Sequence, residues 1–211
     1  NEQRCFLYHH SAWGHKYQYE SCIIKTEEDM ETCITRFEFN PHLLLKLVLG
    51  RDVIDTVLQV GDNKKFRNNV RVITFEPPTD KDTKQRQTFT GQYLKLFTNL
   101  QKLDLSGAPQ VKMRYLLSCI EKNESLIYLG LHGFNTGSVQ FWGTLLSHIP
   151  KTLRFLIVSK WTLVGWIPNT QQQKLLQNVC LIDLTNTDIS AENVGHLVLK
   201  NESLRTIRGI R

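Results

Sequence analysis

An α/β solenoid is the fold class that this sequence of 211 residues predicts. A short apolar phrase of the form Leu-x-x-Leu-x-Leu recurs through its second half, about every 26 residues. Each copy suits a strand, and the stretch after most copies has the apolar spacing of an amphipathic helix. Stacked strand–helix units bury a continuous core that no single unit could bury alone, as in a solenoid.

The copies of the phrase keep one register along the chain. Clear copies begin at Leu100, Leu126, Leu153 and Val179, a degenerate copy begins at Val70, and a fading copy begins at Leu204. A repeat of roughly 20–29 residues with this pattern is typical of leucine-rich repeats. The sequence therefore predicts a leucine-rich-repeat domain over residues 61–211, with about five to six irregular repeats.

Alternation along each strand separates core positions from outward positions. In the first clear copy Leu103 and Leu105 should face the core, whereas Lys102, Asp104 and Ser106 should face outward. The strands are predicted to lie side by side in a short, curved parallel sheet, with the helices on its other side.

Three stretches between the phrases predict helices. They are Val111–Glu121, Val139–Ile149 and Ser190–Leu199, the last with Ser190 as its N-cap. The stretch before Val179 lacks the helical spacing and contains Trp161 and Trp166. There we expect an irregular loop with about one turn of helix.

Residues 1–60 do not show the period, and they are predicted to form a mixed N-terminal cap that closes the open end of the solenoid. Within them we predict a strand at Cys22–Ile24, a helix over Glu27–Phe37 and a second helix over His42–Val48. An exposed loop is predicted over Pro77–Gln87, where two prolines precede a charged run.

The formal net charge is +6, from 26 Lys and Arg against 20 Asp and Glu. These cations are dispersed, whereas nucleic-acid-binding proteins concentrate them on one face or helix. The closest cluster is Lys64, Lys65, Arg67 and Arg71, for which a solvated loop is favoured over a phosphate-binding patch. No apolar run approaches the length of about 18 residues that a membrane span requires.

The five cysteines are scattered along the chain, which favours a reducing compartment and hence a cytoplasmic or nuclear location. Cys119 and Cys180 fall inside repeats and are predicted to be small buried apolar residues. Two sequons begin at Asn123 and Asn201, but both precede a repeat strand, where asparagine is common in turns.

No enzymatic motif occurs in the sequence, neither a phosphate-binding glycine loop nor a zinc-protease or serine-hydrolase signature. Cys5, His9, His10 and His15 have spacings that a zinc site could use, but a second cysteine pair is missing and the interleaved aromatic residues favour packing. We therefore predict no catalytic residue, no metal and no cofactor.

The outward strand positions predict a partner-binding face. The candidate residues are Lys102, Asp104, Tyr128, His132, Phe155, Ile157, Leu181 and Asp183. Four of them are apolar or aromatic on a face that should be wet, and adjoining exposed apolar residues commonly mark a partner site. An alternative stays open, in which the irregular loop over residues 161–169 covers these side chains as local core.

The sequence resembles the F-box proteins with leucine-rich repeats, particularly the divergent fungal kind. In that family the F-box ends in a stretch similar to Phe6-Leu7-Tyr8-His9-His10, and a strand and helix like residues 21–37 follow. An Asn-Pro-His-Leu element resembles residues 40–43, and a weak strand like residues 70–75 precedes repeats that begin as in residues 97–105. The repeats carry the specific part of the likeness.

The resemblance implies a substrate receptor of a cullin-type ubiquitin ligase. Such a receptor joins the ligase through an adaptor protein that binds the F-box, here expected upstream of Asn1, and it presents the repeats to a target protein. The alternative is a structural or scaffold subunit of a larger complex, associated with chromatin or with nucleic acid because of the positive charge. A membrane partner is not expected.

Overall fold

One eight-stranded parallel sheet runs through the molecule, as described by a computed structural model. The described residues are 19–50, 53–59, 63–76, 89–106, 108, 111–133, 139–161, 163, 176–198 and 201–209. The strands lie in sequence order, each parallel to the next. They are β1 (Tyr19–Ile24), β2 (Leu44–Leu49), β3 (Val70–Phe75), β4 (Lys102–Asp104), β5 (Tyr128–Gly130), β6 (Phe155–Ile157), β7 (Leu181–Asp183) and β8 (Thr206–Arg208).

Helices or helical turns join most neighbouring strands. The α-helices are α1 (Glu27–Phe39), α2 (Lys64–Asn69), α3 (Met113–Glu121), α4 (Val139–His148) and α5 (Ala191–Val198). Short 3-10 turns occupy Asp55–Leu58 and Leu94–Leu96. The buried side chains of the helices join those of the strands in one apolar core, so the chain has the predicted α/β architecture.

Backbone pairing aligns the central apolar residue of every phrase in one ladder. The ladder contains Cys22, Leu47, Ile73, Leu103, Leu129, Leu156, Ile182 and Ile207. All but the last of these side chains are buried, and each buried leucine or isoleucine contributes about 1.5–3 kcal/mol of burial free energy. The predicted inward positions of Leu103 and Leu105 are confirmed, because both side chains are inaccessible to solvent.

The helix predictions in the second half are confirmed to within two residues at each end. The hydroxyl of Ser190 accepts a hydrogen bond from the backbone N–H of Asn193 at 3.2 Å, so Ser190 is the N-cap of α5, as expected. In the first half, α1 begins at the predicted residue and carries a capping box between Thr26 and Asp29. Backbone N–H groups of Lys25 and Thr26 lower the pKa of the Asp29 carboxyl.

The second predicted helix of the N-terminal region is wrong, because His42–Val48 lies mostly within strand β2. Burial alternates along β2: Leu45, Leu47 and Leu49 are buried, and the residues between them are half-exposed. A run of seven nearly continuous apolar residues contains no periodicity that separates a buried strand from a buried helix. The basic group at Lys64 corrects a second expectation, since it begins helix α2 rather than lying in a loop.

The two strands before residue 60 occupy the same repeat positions as the later ones. Cys22 pairs with Leu47, and Leu47 pairs with Ile73, so the two residues precede Ile73 by about two and one repeat periods, respectively. The sheet is therefore continuous on both sides of residue 60. The sequence did not predict this, because Tyr19 and Cys22 stand where the later copies have leucine, isoleucine or valine.

A wholly buried asparagine joins two successive repeats. The side-chain amide of Asn123 donates to the carbonyls of Phe97 and Cys119 at 2.8 and 2.7 Å, and its oxygen accepts from the N–H of Leu100 at 2.7 Å. Asn201 holds the equivalent position in the last repeat and donates to the carbonyl of Leu176 at 2.6 Å. Both sequon asparagines therefore lie in the predicted turns before a strand, with side chains turned into the fold.

Asp55 ties the 3-10 turn after β2 to the segment that follows β3. Its carboxylate accepts hydrogen bonds from the N–H and hydroxyl of Thr90 at 2.8 and 2.6 Å. It also accepts from the N–H groups of Gly91 and Gln92 at 2.8 and 3.0 Å. Four donors converge on one carboxylate, so this residue fixes the chain path between two neighbouring repeats.

Candidate functional site

The outward face is the side of the sheet opposite the apolar core, and two rows of side chains cross it. The central row contains Ser21, Lys46, Val72, Lys102, Tyr128, Phe155, Leu181 and Thr206. The second row contains Ile23, Val48, Thr74, Asp104, Gly130, Ile157, Asp183 and Arg208. Strands in a sheet are about 4.8 Å apart, so neighbours within a row are close enough to contact one another.

Seven of the eight predicted site residues belong to these two rows on strands β4–β7. The eighth, His132, lies just beyond β5. Its backbone N–H donates to the Ser106 hydroxyl at 3.4 Å, and its Nδ1 is hydrogen-bonded to the Ser159 hydroxyl. The structure thus places the eight residues in one continuous area of the sheet.

A polar corner occupies the β4 and β5 part of this area. The ammonium of Lys102 lies 3.6 Å from Oδ2 of Asp104 and 4.1 Å from the ring centre of Tyr128. The Tyr128 hydroxyl donates to the same carboxylate oxygen at 3.3 Å, and the N–H of Ser106 donates to Oδ1 at 3.2 Å. These contacts hold the tyrosine ring against the sheet, with a cation over its face.

Gly130 leaves the space that this polar corner needs. A methyl group at Gly130 would lie 2.4 Å from Oδ1 of Asp104 and 3.0 Å from the ring of Tyr128. No Cβ atom tolerates so short a contact, and therefore the Asp104 carboxylate would have to swing away from its partners. The absence of a side chain at residue 130 thus lets the Asp104 carboxylate keep its position.

We expect Gly130→Ala to lower the free energy of unfolding by about 1–2 kcal/mol, because it displaces a carboxylate that accepts several hydrogen bonds. Urea unfolding of the single variants Gly130→Ala and Asp104→Ala and of the double variant measures the coupling between the two residues. The cost of Gly130→Ala should largely disappear when residue 104 is already alanine. An unchanged cost in that background would show that the clash with Asp104 is not its cause.

An apolar group adjoins the polar corner on β5–β7. The rings of Tyr128 and Phe155 are 6.4 Å apart at an interplanar angle of 32°, so they pack side by side across neighbouring strands. Leu181 follows Phe155 in the same row with 9% of its surface exposed, and Ile157 follows in the second row. Tyr128, Phe155 and Ile157 are half-buried, so these side chains keep apolar surface in contact with solvent.

Trp161 belongs to the apolar core and does not cover this group. Its ring packs against Phe141 at 5.1 Å and against Trp142 at 5.8 Å between ring centres. Its indole N–H donates to the carbonyl of Leu131 at 2.8 Å. Trp166 and the rest of the irregular segment, residues 164–175, lie outside the described residues, as do residues 77–88. The interpretation in which that loop covers the apolar group is therefore untested beyond Trp161.

Sequence reasoning missed a third row, at the N-terminal rim of the sheet. The rim consists of Arg71, Gln101, Ile127, Arg154, Cys180 and Arg205, the second residue of each successive phrase. Backbone hydrogen bonds of 2.7–2.9 Å join each member to the next. The rim residues share one recurring position of the phrase, so the sequence contains the signal. The predicted site did not include them because it was built only from the alternating outward positions of the strands.

Two rim arginines are held in the same way. Nη1 of Arg154 donates to the carbonyl of Lys151 at 2.9 Å, and Nη1 of Arg71 donates to the carbonyl of Asn68, three residues earlier in each case. Partial burial lowers the pKa of the Arg71 guanidinium. Cys180 shares this rim and is half-exposed, which corrects the expectation that it would be buried.

The remaining expectations concern cysteines, metal ligands and membrane-spanning helices. Cys119 is buried as predicted, and burial raises the pKa of its thiol to about 12. Among the described residues no group of three or more His, Cys, Asp or Glu side chains could hold a metal ion. Cys5, His9, His10 and His15 lie outside that part of the chain. No helix in the described ranges is both long enough and apolar enough to cross a bilayer.

Neither family models, nor curated proteins, nor solved structures match this chain. Its function is therefore inferred from its own residues and their arrangement.

Proposed function

We propose that the chain is a leucine-rich-repeat domain and that its outward face captures a protein partner. The repeat period and the strict sequence order of eight parallel strands support this class of solenoid. Parallel strands in sequence order, each spaced by about one repeat, present a row of one side chain per repeat. Such rows suit an extended binding surface.

The observation that carries this proposal is the apolar group of Tyr128, Phe155, Ile157 and Leu181. These four side chains adjoin on neighbouring strands, and they lie on the face that the core does not use. Aromatic residues that are half-buried beside aliphatic ones gain the most when a partner removes the remaining water. The polar corner at β4 and β5 supplies orienting hydrogen bonds next to them.

The resemblance to F-box proteins supports the role of substrate receptor in a ubiquitin ligase as the cellular function of the chain. In this role the domain is not catalytic: it binds the target, while an F-box upstream of Asn1 binds the adaptor. The alternative is a scaffold subunit of a larger complex, including one with nucleic acid. Binding to nucleic acid would weaken steeply with added salt, so a salt-insensitive complex would exclude it.

Tyr128→Ala combined with Phe155→Ala tests the proposal. The double variant should lose partner capture by at least about 100-fold, because two aromatic anchors at the centre of an interface are removed. Affinity purification from cells that express the tagged chain measures the capture, and circular dichroism checks that the variant is folded.

The matched control is Phe39→Ala combined with Tyr115→Ala, which removes the same residue types from α1 and α3. Phe39 is 87% exposed. The control should keep its partner. Equal capture by both double variants would show that the outward face is not the binding site.

A further inference from the structure

The outward face and its rim carry an excess of positive charge. Among the described residues, six cations lie there: Lys46, Arg71, Lys102, Arg154, Arg205 and Arg208. The same rows hold two carboxylates, Asp104 and Asp183. From Arg71 to Arg205 the rim contains three arginines and no acidic residue, whereas the same position on β1 is Glu20.

Both carboxylates are engaged by groups of the chain itself. Asp104 accepts from Tyr128 and Ser106, as described above. Oδ1 of Asp183 accepts from the backbone N–H of Thr185 at 2.9 Å. This bond is equivalent to the one from Ser106 to Asp104, because in both cases the donor lies two residues after the aspartate. Each carboxylate therefore has partners within the chain, and the rim from Arg71 to Arg205 adds three arginines at the N-terminal edge.

Two rim arginines directly precede residues of the central row in the sequence. Arg154 immediately precedes Phe155 on β6, and Arg205 immediately precedes Thr206 on β8. Because these strands are separated by one other strand, the two backbones are about 10 Å apart. A guanidinium has five N–H donors, so the bonds from Arg154 to the carbonyls of Lys151 and Leu153 fix its position and leave donors for a carboxylate.

We propose that the outward face binds an acidic segment of the partner protein, an inference that rests on the proposed function. Its carboxylates pair with Arg154 and Arg205 at the rim, and its apolar side chains cover Phe155, Ile157 and Leu181. The occupant is thus a peptide in which Asp or Glu residues are interspersed with large apolar residues. The combination of a cationic rim with an apolar centre is complementary to that composition.

The aliphatic part of the face favours a peptide over a nucleic acid. Aliphatic Ile157 and Leu181 offer no stacking platform or hydrogen bond to a base, whereas they match aliphatic side chains.

Selection from a display library of random peptides on the immobilised full 211-residue chain tests this inference. Selected peptides should be enriched in Asp and Glu together with Leu, Ile or Phe. One selected peptide, labelled with a fluorophore, then gives dissociation constants by fluorescence polarisation. Arg154→Gln with Arg205→Gln should weaken it about tenfold, and added salt should weaken the wild-type complex.

The control is Lys112→Gln with Lys122→Gln, which removes two exposed cations at the two ends of α3 and changes the net charge equally. It should bind the peptide as the wild type does. Equal weakening by the control would mean that only the overall charge matters, and this would overturn the inference.

Other outcomes separate the inference from the function on which it rests. Selected peptides that lack acidic residues but still require Phe155 would overturn the inference and leave the proposed function standing. Failure to select any peptide on the wild-type chain would count against both. Binding of a labelled single-stranded oligonucleotide that requires Arg154 and Arg205 would assign the rim to nucleic acid instead.

Discussion

Replacing Asn123 with alanine should lower the free energy of unfolding by about 4 kcal/mol. The substitution removes three buried hydrogen bonds and leaves the carbonyls of Phe97 and Cys119 and the N–H of Leu100 without their side-chain partner. Each buried polar group left unsatisfied costs about 1–3 kcal/mol. Urea unfolding followed by circular dichroism measures the change.

Two further variants make this test specific. Asn201→Ala should cost about half as much, because Asn201 occupies the equivalent position in the last described repeat and its oxygen accepts from the N–H groups of Ser203 and Leu204 within its own turn. Glu124→Ala changes an exposed residue beside Asn123 and should have almost no effect. A cost for Asn123→Ala no larger than that for Glu124→Ala would show that the buried asparagine does not join the repeats.

The second large effect is expected at Asp55. Asp55→Ala should lower the free energy of unfolding by about 3 kcal/mol, since it removes the acceptor of three backbone N–H groups and one hydroxyl. Asp55→Asn should cost less than alanine, because its amide oxygen still accepts hydrogen bonds but its amide nitrogen does not. Thermal unfolding of the three proteins gives the order directly.

Glu31→Ala serves as the control for Asp55, since Glu31 is an exposed carboxylate in α1. It should leave the stability nearly unchanged. Two results would contradict the structural role of Asp55: an alanine variant as stable as the wild type, or an asparagine variant less stable than the alanine one.

The sequence predicted the second half of the fold well because one local pattern dominates there. A buried leucine, valine or isoleucine occupies nearly every inward position from Val70 onward, so strand location and facing direction follow from alternation alone. The same register identified the area that contains Tyr128 and Phe155. The observed register between strands from β3 to β8 is the one that the repeat period implies.

The first half was harder to predict for a physical reason. Strand β2 is nearly continuous in apolar residues, so only its pairing with β1 and β3 distinguishes it from a helix. In β1, Tyr19 and Cys22 replace the usual aliphatic residues of the phrase. The partly buried Tyr19 hydroxyl donates to the side chain of Gln101, which directly precedes β4 and is distant in the sequence. Long-range contacts of this kind have no local signature.

The details of the candidate site also depend on tertiary geometry. Alternation places Asp104 and Tyr128 on one face, but it does not indicate that Gly130 must lack a side chain for them to meet. The rim arginines share the second position of the repeated phrase in the sequence. The backbone bonds that join these positions show that they form one edge of the sheet.

Site-specific photo-crosslinking most directly tests whether the outward face captures a protein. A benzophenone amino acid is placed at Phe155, and in a separate protein at Phe39 on α1, and each is irradiated in cells that express the chain. The account predicts a discrete crosslinked partner from position 155 that is absent from position 39. Crosslinking from position 39 alone, or the same products from both positions, would contradict it.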